Sequence, residues 1–217
     1  MNKNKIWDIT PLVTADFPLW PGSKPLQRHI VCDIEKGDVI TSSNISSTAH
    51  LGAHADAPSH YAKDGLTIDE CPLHYYLGLC QVIHPQVKHG ELITKKNIDQ
   101  KIVAPRVLFA TSTFDYAKPF SEDFAAFDPD FFEFMAQNKV ITIGIDAPSV
   151  DLFKNQALPC HQLAYKYEIA LLENLDLDGV PEGLYELTAL PLKIKGFDAS
   201  PVRAILRGIE YPSASSP

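Results

Sequence analysis

The segment STAHLGAHADAPSHY, residues 47–61, concentrates potential metal ligands and places a glycine and a proline between them. Its four chemically active side chains are His50, His54, Asp56 and His60. In a continuous strand, which rises about 3.3 Å per residue, His50 and Asp56 would lie roughly 20 Å apart, whereas two ligands of one ion each lie about 2 Å from it. Since Gly52 reaches backbone angles closed to other residues and Pro58 prevents a regular helix across it, the sequence predicts a tight curved loop that holds a metal.

A second pair of candidate ligands, His161 and Glu173, lies in CHQLAYKYEIALLENL. Imidazole and carboxylate together suit zinc, manganese or iron, and Asp56 can bridge two ions because a carboxylate has two oxygens. On one uninterrupted helix His161 and Glu173 would lie about 18 Å apart along the axis. They can therefore share an ion only if a short helix ends near Tyr167 and a strand, EIALLEN, follows it. Composition alone leaves open a surface histidine and a solvated glutamate at these positions.

The composition favours a strand-rich α/β fold, because 17 prolines and 11 glycines require many turns. The predicted strands, rich in β-branched residues, are RHIVCDI, CQVIHPQV, PRVLFATS, KVITIGID, LPLKIKG and SPVRAILRGI. A helix is predicted at PDFFEFMAQN with Asp128 as its N-cap, and a helical turn is predicted at CPLHYYLG, closing at Gly78. We expect one domain over residues 1–211 and a flexible tail over residues 212–217.

Charge and missing motifs limit the functions that are compatible with the chain. The formal net charge of −8 and the pI near 5.4 argue against nucleic acid and an anionic membrane surface as partners. No stretch approaches the ~18 to 20 apolar residues that span a bilayer, and the four cysteines lack a CxxC pair. We therefore expect a cytoplasmic protein with reduced thiols that acts on a small molecule. The absence of GxSxG, HExxH, GxGxxG and P-loop motifs removes the main sequence support for those classes.

The stretch HLGAHADAPSHY resembles the HxGxHxDxPxHx signature of the metal-dependent cyclase-like hydrolase family, which includes the bacterial kynurenine formamidases. The resemblance continues in WDITPLVTADFPLWPGSKP, GIDAPSVD and YELTALPLKIKGFDASPVRAILR, and so covers nearly the whole chain. It implies a mixed, swivelling β/β/α fold with a β-barrel-like core and flanking helices, assembled as a homodimer. Leu51 and Ala55 depart from the commonest family pattern, which has threonine at both positions; we expect this to alter pocket polarity and the hydrogen bonds around the ligands more than metal binding.

The same resemblance implies a centre of two divalent ions, zinc in most members of the family, with manganese as the alternative. The implied ligands are His50, His54 and Asp56 for the first ion and Asp56, His161 and Glu173 for the second. His60 is implied as the proton-transfer residue, and Trp20, in LWPG, is implied as part of the wall of the substrate pocket.

The activity that the resemblance implies is that of an arylformamidase, which hydrolyses N-formyl-L-kynurenine to L-kynurenine and formate in tryptophan degradation. A metal-bound hydroxide would attack the formyl carbon, and His60, whose ordinary pKa is about 6.5, would accept a proton and return it to the departing aryl amine. Two alternatives stay open at this point. One is a hydrolase of a related cyclic amide such as isatin, and the other is a module that binds a metal or a metabolite without catalysis.

Overall fold

The computed structural model describes residues 5–209. Within these residues, nine of the thirteen strands form one sheet. The strands are β1 (Ile6–Asp8), β2 (Gln27–Cys32), β3 (Ser42–Ser46), β4 (His54–Asp56), β5 (Leu77–Ile83), β6 (Leu92–Ile93), β7 (Arg106–Phe109), β8 (Ala126–Phe127), β9 (Thr142–Ile145), β10 (Ala170–Glu173), β11 (Gly183–Thr188), β12 (Ala199–Pro201) and β13 (Ile205–Gly208). The α-helices are α1 (Pro129–Gln137) and α2 (Pro159–Lys166). The tail predicted at residues 212–217 lies outside the described residues.

The large sheet has the strand order β1-β13-β11-β5-β7-β9-β10-β4-β12. Strands β5, β7, β9 and β10 run parallel at its centre, and the strands on both sides of them pair antiparallel. Because parallel neighbours need a crossover connection, α1 lies between β7 and β9 in the chain and α2 lies between β9 and β10. β2 pairs only with β3 among the described strands and forms a separate two-stranded ribbon.

Successive side chains of the central strands alternate between two cores. Val107 and Phe109 of β7 belong to the core that α1 and α2 cover, while Leu108 belongs to the core on the opposite face. Side chains of the strands, such as Leu172, and of the loops between them, such as Tyr76, fill that opposite, concave face, and the curled sheet forms a half-barrel. The predicted strand-rich α/β fold with a barrel-like core and flanking helices is therefore confirmed.

The break predicted between the two distant candidate ligands is present. α2 ends at Lys166 with Tyr167 as its C-cap, and β10 begins at Ala170. Glu168 lies between them with a left-handed φ of 54°, which turns the chain from helix into strand. The N-cap predicted for α1 is also present, because the side chain of Asp128 accepts a hydrogen bond from the backbone N–H of Asp130.

The predicted strand LPLKIKG, residues 190–196, is not a strand. Pro191 has no N–H to donate to a ladder, and the side chains of Leu190 and Leu192 are exposed rather than packed in a core. The backbone N–H of Leu192 is instead satisfied by the hydroxyl of Ser200. The strand prediction from the apolar pattern was therefore wrong, since no described strand pairs with this segment.

The helical turn predicted at CPLHYYLG is present as the 3-10 helix Leu73–Tyr75, but Gly78 does not end it. Gly78 is the second residue of β5. A Cβ at this position would lie 3.2 Å from Nη1 of Arg106, so the glycine makes room for a guanidinium group. Among the described residues, no helix has the length and hydropathy that crossing a bilayer requires.

Candidate metal centre

The middle of the histidine segment is a strand rather than one continuous curved loop. β4 lies between β10 and β12, and all of its residues are buried. Gly52, with a φ of 60°, and the short 3-10 helix Pro58–His60 bend the chain on the two sides of β4. The bends predicted at Gly52 and Pro58 are therefore present, and the strand between them fixes two candidate ligands to the sheet.

Strand alternation places His54 and Asp56 on one face of β4. Glu173 of β10 lies directly opposite His54 in the antiparallel ladder and so points to the same face. Ala55 points the other way, into the concave core, where it lies opposite Leu172. The departure from the family pattern at Ala55 therefore changes core packing, and not the polarity of a pocket on the ligand face.

The two carboxylate oxygens of Asp56 face two different sets of ligands. Oδ1 lies 3.0 Å from Nδ1 of His50 and 3.4 Å from Nε2 of His54. Oδ2 lies 3.5 Å from Nε2 of His161, which is itself 3.5 Å from Oε1 of Glu173. Oε2 of Glu173 lies 3.5 Å from Nε2 of His54. The structure thus brings together the five side chains that the sequence analysis named as ligands.

These side chains fit divalent metal ions. Nε2 of His54 and both oxygens of Asp56 are buried and have no hydrogen-bond partner within residues 5–209, which costs free energy unless another group satisfies them. Imidazole nitrogens and carboxylate oxygens are ligands that zinc and related ions accept. Within the described part of the chain, three sets of side chains lie close enough to share an ion: His50, His54 and Asp56; Asp56, His60 and His161; and His50, His60 and Asp198.

The imidazoles and carboxylates of the centre shift one another's pKa. Burial lowers the pKa of His54, but its close contacts with Asp56 and Glu173 outweigh burial and raise that pKa to about 10. Burial likewise lowers the pKa of His161, and contacts with Asp151 and Asp56 raise it to about 10. Burial raises the pKa of Asp56, but the surrounding imidazoles hold it well below its usual range. Because a ligating imidazole must be neutral, metal ions and protons compete for this centre.

Contacts behind the ligands fix the orientation of two imidazoles. Nδ1 of His161 donates to Oδ2 of Asp151 at 2.7 Å, and Asp151 also accepts from two backbone N–H groups at the start of α2. Nδ1 of His54 donates to the carbonyl oxygen of Gly52 at 2.9 Å. In both rings Nε2 is left facing Asp56, as is usual for a metal ligand. The sequence analysis missed Asp151, whose only signal is an acidic residue at the end of GIDAPSVD.

Four of the candidate ligands line a cavity of about 300 Å³, at the lower end of the range for small-molecule sites. Trp20 also lines it and is 36% exposed. The indole packs against Phe120, Phe124 and Phe153, with ring centroids 4.7 to 6.4 Å apart, and so forms a supported aromatic wall. A larger cavity of about 790 Å³ also reaches Asp56, but no histidine lines it. The smaller cavity is therefore the one that the histidines of the centre line.

His60 and Asn174 also line the cavity, together with Ser23 and Ser149. Burial lowers the pKa of His60, so its imidazole is neutral near pH 7 and can accept a proton. The ring centroid of His60 lies 4.3 Å from that of His50 and 6.0 Å from that of His161. Asn174 is 5% exposed, has a left-handed φ of 54°, and its Oδ1 has no hydrogen-bond partner among the described residues. Nothing in the sequence pattern pointed to Asn174.

The half-barrel holds a buried imidazole and carboxylate centre beside a small cavity, an arrangement that suits a metal-dependent hydrolase. The family model described as "Putative cyclase" matches residues 7–152. The chain is 40% identical over 205 residues to the kynurenine formamidase of Bordetella petrii, a match that covers 94% of this chain and 98% of that protein. The chain therefore belongs to the putative cyclase family, and the family resemblance of its sequence motifs is confirmed.

Solved structures of other proteins share the fold. A predicted metal-dependent hydrolase from Bacillus stearothermophilus is 28% identical with a TM-score of 0.77, covering 93% of this chain and 97% of that chain. Isatin hydrolase A from Ralstonia solanacearum has a TM-score of 0.80 at 22% identity, covering 93% of this chain and 91% of that chain. The second likeness shows the fold alone. The roles of the individual site residues stay predictions.

Replacement of Asp56 by asparagine is expected to lower the metal content per chain strongly, because Asp56 contributes to both ligand sets. The amide keeps one neutral oxygen and replaces the other by an NH₂ group, which cannot ligate, so both ligand sets are weakened. Elemental analysis after dialysis measures the effect, and Asp115→Asn, the same change at an exposed carboxylate, is the control. Full metal occupancy in a folded Asp56→Asn protein would exclude Asp56 as the bridge.

Proposed function

We propose that this chain is an arylformamidase that hydrolyses N-formyl-L-kynurenine to L-kynurenine and formate in tryptophan degradation. One observation carries the proposal: His60 and Trp20 line the same cavity as the candidate metal ligands that surround Asp56. A substrate in this cavity would meet an aromatic wall at Trp20, a proton-transfer group at His60 and the candidate metal ligands. The similarity to the Bordetella petrii kynurenine formamidase over 94% of the chain supports this substrate class.

The proposal includes two divalent ions per subunit, zinc or alternatively manganese. The residues that would hold them are His50, His54 and Asp56 for one ion and Asp56, His161 and Glu173 for the other. When bound, such ions supply Lewis acidity that lowers the pKa of a coordinated water from 15.7 toward about 7. The division of the Asp56 oxygens between two ligand sets supports the number two, since a single ion would leave one set unused.

In this proposal His60 moves the proton that the reaction requires. An aryl amine is a poor leaving group until its nitrogen is protonated, so a donor must lie near the scissile bond. Because burial lowers its pKa, His60 is neutral when the attacking water loses a proton, and it can take up that proton. The imidazolium then returns the proton to the amine nitrogen as the C–N bond breaks. Trp20 would contact the aryl ring and keep bulk water away from the amide.

A cyclic aryl amide such as isatin is the second candidate substrate. The cavity of about 300 Å³ and the rigid aromatic wall beside Trp20 favour a small, flat ring system, which isatin also provides. A purely binding module would have no use for the proton-accepting His60 in the cavity. We therefore rank the formamidase first, the cyclic-amide hydrolase second and a non-catalytic module last.

A panel containing N-formyl-L-kynurenine and isatin, followed by ultraviolet absorbance, tests the proposed function. We expect the zinc-loaded protein to hydrolyse N-formyl-L-kynurenine, a chelator to abolish the reaction, and added zinc to restore it. Parallel assays with manganese identify the better ion. Hydrolysis of isatin alone would favour the second candidate. Failure of the metal-loaded, folded protein to hydrolyse either compound would contradict both enzymatic candidates.

Replacement of His60 by alanine is expected to reduce turnover of N-formyl-L-kynurenine by about 10²-fold or more, because proton transfer to the amine is lost. Metal content should stay close to that of the unaltered protein, since other side chains hold the ions in this proposal. His74→Ala, at an exposed histidine outside the cavity, is the matched control. If His60→Ala lost its metal ions, His60 would be a ligand, as its position in two of the possible ligand sets also allows.

We further propose a cytoplasmic homodimer with one catalytic domain over residues 1–211 in each subunit. The ribbon of β2 and β3 supports a dimer, because it exposes apolar side chains and a two-stranded ribbon is at best marginally stable alone. The most exposed apolar side chains are those of Val31 and Ile45 in the two strands and of Val39 and Ile40 in the loop that joins them. The four free thiols support a reducing compartment.

Light scattering coupled to size-exclusion chromatography is expected to give the mass of two chains. Val39→Asp and Ile45→Asp are expected to shift the mass toward one chain, because a charge would be buried in the proposed interface. Both side chains are already exposed in the isolated chain, 94% and 74%, so the subunit itself should stay folded. Val103→Asp, at another exposed valine outside the ribbon, is the control. A monomeric unaltered protein would contradict the proposal.

A further inference from the structure

Asp198 places a carboxylate between two histidines of the cavity. Its Oδ2 lies 3.1 Å from Nε2 of His50 and 3.6 Å from Nδ1 of His60. The rings of these two histidines are in contact, with centroids 4.3 Å apart and planes tilted by 49°. Sequence reasoning did not identify Asp198, which stands alone in KIKGFDASP without a local motif.

The backbone holds Asp198 firmly even though its side chain is 52% exposed. The residue comes directly before β12, which pairs with β4, and its carbonyl oxygen accepts a hydrogen bond from the N–H of Ala57 at 2.9 Å. His60 belongs to the 3-10 helix that follows β4. The backbones of both residues are therefore anchored beside the same pair of strands, β4 and β12, which keeps the carboxylate close to the imidazole.

We propose that Asp198 is a positioning residue that orients His60 for proton transfer to the amine nitrogen of the substrate. The proposal rests on the acid/base role of His60 in the proposed function. A proton on Nδ1 that points to Asp198 leaves the lone pair of Nε2 free to face the cavity, which is the tautomer that a general base needs. A separation of 3.6 Å is long for a hydrogen bond, and such contacts often tighten only when substrate is bound.

The proton balance of the step involves His60 and not Asp198. His60 takes one proton from the attacking water at Nε2 and gives one to the amine nitrogen as the C–N bond breaks. Asp198 stays ionised throughout, holds the ring in place and stabilises the transient imidazolium. Asp198 also contacts His50, and a carboxylate behind a metal ligand tunes metal affinity. Replacement of Asp198 could therefore change activity through the metal instead of through His60. The test must therefore separate an effect on His60 from an effect on the metal.

The first measurement is a double-mutant cycle on the zinc-loaded protein with N-formyl-L-kynurenine. We expect Asp198→Asn to lower kcat by about 10- to 100-fold with little change in KM and in zinc content. In the His60→Ala background the same change should alter kcat by less than about 2-fold, because Asp198 acts through His60. Asp198→Glu should recover part of the rate. Asp178→Asn, at an exposed aspartate outside the cavity, is the matched control.

Three results of the cycle would overturn the proposal. An equal loss of kcat in both backgrounds would show that Asp198 does not act through His60. Loss of zinc from Asp198→Asn would assign Asp198 to support of the metal ligand His50. An unchanged kcat in Asp198→Asn would show that the carboxylate has no role in the reaction.

The second measurement does not depend on the substrate. Nuclear magnetic resonance of the imidazole nitrogens identifies the tautomer of His60 in the zinc-loaded protein, with His60→Ala used to assign the signal. We expect the proton on Nδ1 in the unaltered protein and loss of that preference in Asp198→Ala. The same tautomer in both proteins would overturn the proposal. If the tautomer shifts while no formamide is hydrolysed, the proposed function fails and the orienting role of Asp198 stands.

Discussion

The buried carboxylate of Asp56 is the constraint on which the centre depends. A charge in a protein interior is tolerated only when opposite charges or ligating groups compensate for its lost hydration, and neither oxygen of Asp56 has a hydrogen-bond partner among the described residues. The groups around it come from separate elements: β4 itself, the turn before it, α2 and β10. Much of the fold on this face therefore serves to bring imidazoles and a second carboxylate to one point.

The half-barrel explains how this convergence is held rigid. β4 lies between β10 and β12, so its ligands cannot move without the ladder that fixes Glu173. Asp151 and the carbonyl of Gly52 then fix the rings of His161 and His54 from behind. Asn174 follows Glu173 and lines the cavity. Its left-handed backbone is the kind of strain often found at functional sites.

The sequence predicted the features that local chemistry controls. The bends at Gly52 and Pro58 and the break after Tyr167 follow from backbone restrictions and ligand geometry, and all are present. It did not predict β4, because three residues are too few for a pattern and their ladder partners, residues 171–173 and 199–201, are distant in the chain. Asp151, Asp198 and Asn174 were missed for a related reason, since single polar residues gain meaning only from neighbours that folding supplies. The strand predicted at LPLKIKG was wrong for the opposite reason, because its local pattern is apolar but folding gives it no strand to pair with.

The small residues behind β4 link the core to the reactive face. Ala53, Ala55 and Ala57 are all buried in the concave core, so methyl groups alone separate the ligand strand from the packed interior of the half-barrel. Because protein interiors are close-packed, one larger side chain there would push the strand outward rather than compress its neighbours. Core substitutions that touch neither ion nor substrate would then change the spacing of the ligands. A substitution in the interior would thus change the geometry offered to a metal ion while every ligand is kept.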